Sequence, residues 1–378
     1  MTQDVSALHA RMLTLDTHLD TAIHFRRAGW SFGERHDLDT DVAQLDLPRM
    51  DGNLSGGFFV IYTRQGPLTA QCHGEALAEA RAISDDIDAM LAAFPDRIGL
   101  ALTAQDARRL HAQGRRIAFK SIENSYFLGS DLAVLEEFHR KGVRLAGPVH
   151  SKANQLGDSA TDAPLWHGLS PLGREWVAQM NRLGIAIDAS HAADATLDQL
   201  LGLSSAPLVL SHSGSRTTYD TLRNIDDGRL RALAEAGGVI GFSTIYLSEF
   251  RAGPARLELF RLHGGIGELT DGEQVELARR WNALDRSEPM WDAGLDEYIE
   301  SLLHVIDVVG VGHVCFGADW DGGGGIQGLR DVTDLPRVTE RLLDRGFGAA
   351  DIEKLWSGNL LRVLDTVQGR SDAPLHLE

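Results

Sequence analysis

Seven side chains able to hold a metal ion or move a proton punctuate this chain at wide intervals: His18, Asp20, Glu123, His150, His191, His212 and Asp319. The first two belong to Asp16-Thr17-His18-Leu19-Asp20, which follows the apolar residues Ala10, Met12, Leu13 and Leu15 and reads as the carboxyl end of a first strand. Residues two apart on a strand share a face, so the His18 imidazole and the Asp20 carboxylate should lie side by side. That N/O pair suits a borderline ion such as zinc. Each of the others also follows a short apolar run. Singly they have ordinary explanations: a histidine bonded to backbone, Glu123 as a helix cap, Asp319 in an Asx turn. A recurrence at the same end of successive strands points instead to metal-assisted hydrolysis, with two zinc ions, a bridging carboxylate and a hydroxide between the ions as nucleophile. Neither Cys72, Cys315 nor any serine stands in a Gly-x-Ser-x-Gly or Cys/His nucleophile signature. Glycoside hydrolysis by two carboxylates would leave the histidines unexplained.

These groups need a scaffold that gathers strand ends. Apolar runs at 57–62, 116–122, 143–149, 185–188, 207–210, 238–242 and 314–317 follow the first strand. Helical periodicity or capping marks 68–94, 132–140, 173–183 and 229–236 between them. Within 68–94, Leu77, Ala80, Ile83, Ile87 and Leu91 are spaced to line one face. The polar stretch 21–47 reads as a loop or short helix over the end of the first strand, and 247–308 as a mostly helical insertion between strands seven and eight. Eight strands alternating with helices predict an α/β fold, a closed (β/α)₈ TIM barrel whose strand ends converge on one mouth. An open doubly wound sheet would bring a Gly-x-Gly-x-x-Gly turn after the first strand, and none occurs there. No linker or repeat interrupts residues 1–378, so the expectation is one metal-dependent hydrolase barrel domain.

The formal charge of −18 opposes nucleic-acid binding, which requires a basic surface. Two cysteines far apart in sequence predict no disulfide scaffold and a cytoplasmic setting. Residues 1–15 lack the basic and apolar regions of a signal peptide, and no apolar run approaches a bilayer span, so no membrane anchor is expected.

The motifs Asp16-Thr17-His18-Leu19-Asp20, Asp46-Leu47-Pro48-Arg49-Met50, Ile122-Glu123 and His150 with Asn154 and Asp158-Ser159 join four further ones. These are the run from Gly184 to His191, Ser211-His212-Ser213 with Arg223-Asn224, Gly317-Ala318-Asp319-Trp320-Asp321-Gly322 and Gly358-Asn359-Leu360-Leu361-Arg362. In this order the set resembles the membrane (renal) dipeptidase family of the amidohydrolase superfamily, over about residues 13–363. The resemblance implies a binuclear zinc dipeptidase acting through a metal-bridging hydroxide, with two Zn²⁺ per chain, dipeptide substrates, tolerance of a C-terminal D-residue and a homodimer. It implies His18, Asp20 and Glu123 as ligands of one zinc and Glu123, His191 and His212 as ligands of the second. It also implies that His150 polarises the scissile carbonyl, Arg223 receives the substrate carboxylate, and Asp319 passes a proton from the hydroxide to the leaving amine. Read without the family, Arg223 before Asp226-Asp227 is equally an ion pair at a helix start.

Strand alternation puts Lys120 on the face opposite Glu123, a poor position for a metal ligand. Asn154 and Asp321 are expected to orient ligands, and His24 and His167 to line the mouth from loops; the remaining histidines, His263 among them, are expected to be structural. Two departures from the family concern the substrate region: Glu123-Asn124-Ser125 stands where Glu-Gly-Gly is usual, and Pro148-Val149-His150 stands where the family has a Thr-His approach to the fourth strand's end, with the Gly322–Gly325 run unusually loose. The rival readings are a hydrolase of another small amide, a mononuclear deaminase, or a catalytically silent homologue that binds or tailors a small peptide.

Overall fold

A computed structural model of the chain describes residues 4–251 and 253–372. Its strands are β1 (Leu15–Leu19), β2 (Gly56–Tyr62), β3 (Ile98–Leu100), β4 (Arg116–Glu123), β5 (Val143–Ala146), β6 (Ala186–Ile187), β7 (Val209–Ser213), β8 (Val239–Phe242) and β9 (Val314–Phe316). All pair in parallel, in the order β6-β5-β4-β2-β1-β9-β8-β7. A parallel bridge from Asp188 to Val209, with Ala189 N donating to Val209 O at 2.8 Å, closes the ring between β6 and β7. The result is the eight-stranded α/β barrel expected from the strand and helix rhythm.

Every barrel strand contributes to one packed inner cluster, through Leu15, Phe58, Ile117 and Phe119, Leu145, Ala186, Val209, Val239 and Cys315. Phe58 stacks on Phe119 with ring centroids 4.7 Å apart. Leu360, Leu361 and Leu364 of helix Asn359–Gln368 join this cluster from below. The opposite, carboxyl end is thereby left for the polar groups.

Four sequence-based boundaries change. The apolar run before β1 begins as helix Val5–Arg11, capped by Asp4. β3 is a ninth strand, too short to stand out, and pairs with the start of β4 below β5. The insertion proper is Pro254–His263 with Asp271–Ser287, because Leu295–Val309 packs on Asp227–Glu235 and β9 as the barrel's own helix. The fourth predicted strand stops at Ala146 rather than 149, so His150 leaves from a loop.

Helix Ala70–Ala93 starts at the Thr69 cap and buries Ala76, Ala80, Ser84, Ile87 and Met90, a stripe slightly rotated from the predicted one. Lys120 points at this helix, with Nζ 2.7 Å from Asp88 Oδ1 and 3.1 Å from Ser84 Oγ. Among the described residues no helix is long and apolar enough to cross a membrane.

Candidate active site

His18 and His212 reach the barrel mouth because their strands are irregular. Leu15 belongs to the inner cluster whereas Leu19, an even number of residues later, packs in the outer core with the helices. Unbroken alternation forbids this, and the register shift lies between Asp16 and Leu19. A second shift, between Leu210 and Ser213, falls at His212. Bulges of this kind re-aim side chains, and both occur where a histidine must turn towards the centre.

Glu123, at the end of β4, is the hub. Its Oε1 lies 3.0 Å from His191 Nε2, 3.4 Å from His212 Nε2, 3.7 Å from His18 Nε2 and 4.0 Å from His150 Nε2. His18 Nε2 is also 3.3 Å from Asp20 Oδ2 and 3.8 Å from Asp319 Oδ1. All seven groups singled out in the sequence therefore meet. Their potential ligand atoms form three overlapping sets: His18–Glu123–His212, Glu123–His150–His191 and His18–Asp20–Asp319.

A divalent metal fits this donor set. His18 Nε2 is buried without a hydrogen-bond partner, and the Nε2 atoms of His191 and His212 face each other at 2.9 Å. Ser211 donates its hydroxyl hydrogen to Asp188 Oδ2 at 2.5 Å and can only accept from His212 Nδ1 at 2.7 Å and His18 Nδ1 at 3.3 Å. Both Nδ1 atoms then carry a proton, which leaves Nε2 of each ring directed into the site, where a metal ion would replace the proton that the surrounding acids favour on His18. A β-carbon on Gly322 would collide with Oδ2 of Asp20 and Oδ1 of Asp319, so this residue leaves the space above the cluster open.

The electrostatics agree. Burial holds His191 and His212 well below the usual imidazole range, hence neutral. Burial pushes Glu123 up to about 8 despite the attraction of His18, and drives Asp319 well above the carboxylate range, with Asp20 and Glu123 adding repulsion. Burial would lower His18, yet Asp20, Glu123 and Asp319 outweigh it and raise it to about 10. Crowded acids beside neutral imidazoles call for positive charge between them.

His150 is held near about 4 by burial and by Arg223, and is thus neutral at pH 7. Its Nδ1 lies 3.0 Å from Ser151 Oγ, and its ring meets Tyr62 edge-on at 5.0 Å. Arg223 is buried; Nη2 donates to His212 O at 3.1 Å, while Nε has no protein partner. Its guanidinium lies against Tyr246, 5.7 Å from the ring centroid, and that ring rather than Arg223 faces the cavity. The helix-start ion pair does not form: Asp226 caps Asp227–Glu235 and pairs with Arg229.

Asn124, His191, Tyr246, Asp319 and Asp321, all around the site, have φ between 55° and 67°. This left-handed conformation costs about 1–3 kcal/mol for a non-glycine residue and is held only where the surroundings enforce it. It explains the Asn124 departure, because asparagine tolerates such φ where glycine is usual. Contrary to expectation, Asn124 and Ser125 do not crowd the substrate region. Asn124 Oδ1 accepts from Asn154 at 3.1 Å, Ser125 Oγ donates to Gly147 O at 2.8 Å, and both residues are fully buried.

The glycine run is not loose either. Gln44 Nε2 donates to Gly324 O at 3.0 Å, and Gly325 N donates to Thr244 Oγ1 at 2.9 Å. Asn154 supports Glu123 only through Asn124. Asp321 binds Thr21, the backbone of Gln44 and His24 rather than a ligand. His24 is buried beneath the wall and His167 is exposed and outside the cavity lining, whereas His263 lines the cavity. Asp188 and Ser211, the residues that orient His18 and His212, stand inside motifs quoted from the sequence but carry no local signal of that role.

The cavity above the cluster has a volume of about 970 Å³ and is roofed by the insertion through Phe260, Arg261, His263 and Glu268. A sequence profile of the membrane dipeptidase family (peptidase family M19) matches residues 2–374. The chain belongs to this family. Dipeptidase tcpJ of Claviceps purpurea is 29% identical over 363 residues, 93% of this chain and 76% of that protein. Dipeptidase 3 of Mus musculus is 28% identical over 332 residues, covering 86% and 58%. Among solved structures, the probable dipeptidase PvdM from Pseudomonas aeruginosa aligns with a TM-score of 0.82 and 30% identity over 97% of this chain and 98% of its own. A metallo peptidase from Rhodobacter sphaeroides, liganded with a phosphinate mimic of the dipeptide L-Ala-D-Ala, aligns at 0.75 and 26% over 94% and 99%. The protein is thus a metal-dependent dipeptidase.

Proposed function

We propose that this dipeptidase is a binuclear zinc enzyme that hydrolyses Xaa-Xaa with a free carboxylate and accepts a D-residue at the second position. The convergence of His18, His191 and His212 nitrogens on one oxygen of Glu123 carries this reading. His18, Asp20 and Glu123 would hold one ion, and Glu123, His191 and His212 the other. Bound there, zinc supplies Lewis acidity, polarising the amide carbonyl and acidifying water.

The remaining work falls to the chain. Asp319 Oδ1, on the same side as Asp20, takes the proton of the attacking water and delivers it to the leaving amine, base then acid. His150, neutral and with Nδ1 able to accept from Ser151, offers Nε2–H to the carbonyl oxygen as charge develops. Arg223 receives the carboxylate through its unpartnered Nε, past the Tyr246 ring. The L-Ala-D-Ala mimic bound by a structural relative supports the stereochemical part. The free thiols of Cys72 and Cys315 support a reducing, cytoplasmic setting.

Metal analysis combined with a dipeptide screen that includes L,D pairs and C-terminally amidated analogues tests this. Two zinc ions per chain, turnover of L-Ala-D-Ala and poor turnover of amidated analogues, with the gap narrowed in Arg223→Met, are expected. One ion per chain and no cleavage of any dipeptide would sink the proposal.

A further inference from the structure

The cavity lies at the upper end of the range of about 300–1,000 Å³ usual for small-molecule sites, more than a bare dipeptide fills. Its spare wall is on one side. Arg223 follows β7, and β2 stands four places from β7 in either direction around the eight-stranded ring. A substrate with its carboxylate at Arg223 and its amide over Glu123 therefore extends its N-terminal residue towards the segments after β1 and β2 and the insertion facing them.

That wall carries Arg26, Arg64 and Arg261 with Glu79 and Glu268. Arg26 is neutralised by Glu79 at 2.6 Å and by Asp86. Arg64 and Arg261 make no ion pair or hydrogen bond among the described residues. Arg64 also reaches the insertion: a β-carbon on Gly264 would stand 3.6 Å from Arg64 Nη2, so the guanidinium from the β2 side lies against the end of helix Pro254–His263, which carries Arg261. Glu268, which makes no ion pair among the described residues, suits the α-ammonium that every dipeptide carries. Two cations remain over, in a chain whose net charge of −18 otherwise repels anions.

We infer that Arg64 and Arg261 select dipeptides whose N-terminal residue bears an anionic group, an acidic side chain or an acidic substituent upon it. This rests on the dipeptidase reading above and on Arg223 as the carboxylate anchor. Exposed cations contribute modestly, so the preference should be a ratio rather than an absolute rule.

The test compares kcat/KM for Glu-Ala with Gln-Ala and for Asp-Ala with Asn-Ala in the zinc-loaded enzyme. The acid form should be favoured about tenfold, and Arg64→Met and Arg261→Met should each reduce that ratio by roughly three- to fivefold. The double reversal R64E/R261E should shift preference to Lys-Ala. Equal turnover of acid and amide partners by the unmodified enzyme overturns this inference and leaves the dipeptidase reading standing. Equal losses on both partners in the Met variants also overturn it, because they show general steering of carboxylates rather than recognition. Cleavage of no dipeptide at all overturns the underlying reading and this inference with it.

Discussion

At the floor of the cavity, His18, Glu123 and His212 leave strands of a closed ring, are buried, and are oriented by groups that are themselves bonded. At the roof, Phe260, Arg261 and Glu268 come from an insertion whose helices rest on a small separate cluster around Leu259, Ile266 and Leu277. Polar ties join it to the loops beside the barrel, among them Arg330 Nη2 donating to Asn282 Oδ1 at 2.7 Å. Arg27 makes a bidentate pair with Asp41 at 2.8 and 2.9 Å and donates to Gln274 of the insertion at 2.7 Å. Backbone rigidity in the floor fixes atoms to the tolerance that bond making requires, while the roof needs only to recognise and enclose. Chemistry should therefore depend on single atoms below and on broad properties such as charge and packing above.

The sharpest break in that contrast would come from Asp319→Asn, which keeps the shape and removes the proton acceptor. It should lower kcat by about 10³-fold with metal content unchanged, measured by steady-state kinetics beside metal analysis. A loss under tenfold would move proton transfer to another group. Next in size, Ser211→Ala deletes one hydroxyl that touches no substrate; zinc affinity should weaken about 10–100-fold in competition with a chelator. Unchanged affinity would mean that the imidazoles are set by packing alone.

The smallest effect concerns the roof. Burial, with His24 and Arg27 nearby, holds His263 at about 4, below its unfolded value near 6.5, so the folded state favours the neutral ring. The stability this supplies is complete above about pH 6.5 and is lost as pH falls towards 4. Hydrogen exchange in 254–287, corrected for intrinsic rates, should accelerate between pH 7 and 5 while β4 and β8 stay protected. Acceleration of barrel and insertion together would erase the distinction between floor and roof.

The same division decides what the sequence discloses. Strand runs, the barrel and the seven convergent side chains are legible because ring closure forces each strand end to one mouth. The bulges at His18 and His212 are not, since alternation read from the sequence cannot show a register shift between strands. Ser211 and Asp188 act only through a contact between β6 and β7. The short β3 and the boundary between the insertion and helix Leu295–Val309 are likewise set by tertiary packing. Asn124 and Ser125 misled in the opposite direction: added polarity suggested altered specificity, but their side chains are consumed by Asn154 and Gly147. Arg64 and Arg261, ordinary surface residues in sequence, gain meaning only when the fold sets them opposite Arg223.

Asp188 occupies a singular place in this arrangement. Its own backbone completes the circle of strands with Val209, and its carboxylate fixes Ser211 and, through it, two imidazoles. Efforts to retune the metal preference by altering this carboxylate would disturb the last stitch of the fold at the same time. Variants sought in a laboratory evolution experiment should consequently spare position 188 and accumulate on the insertion, where recognition can drift without unfastening the barrel.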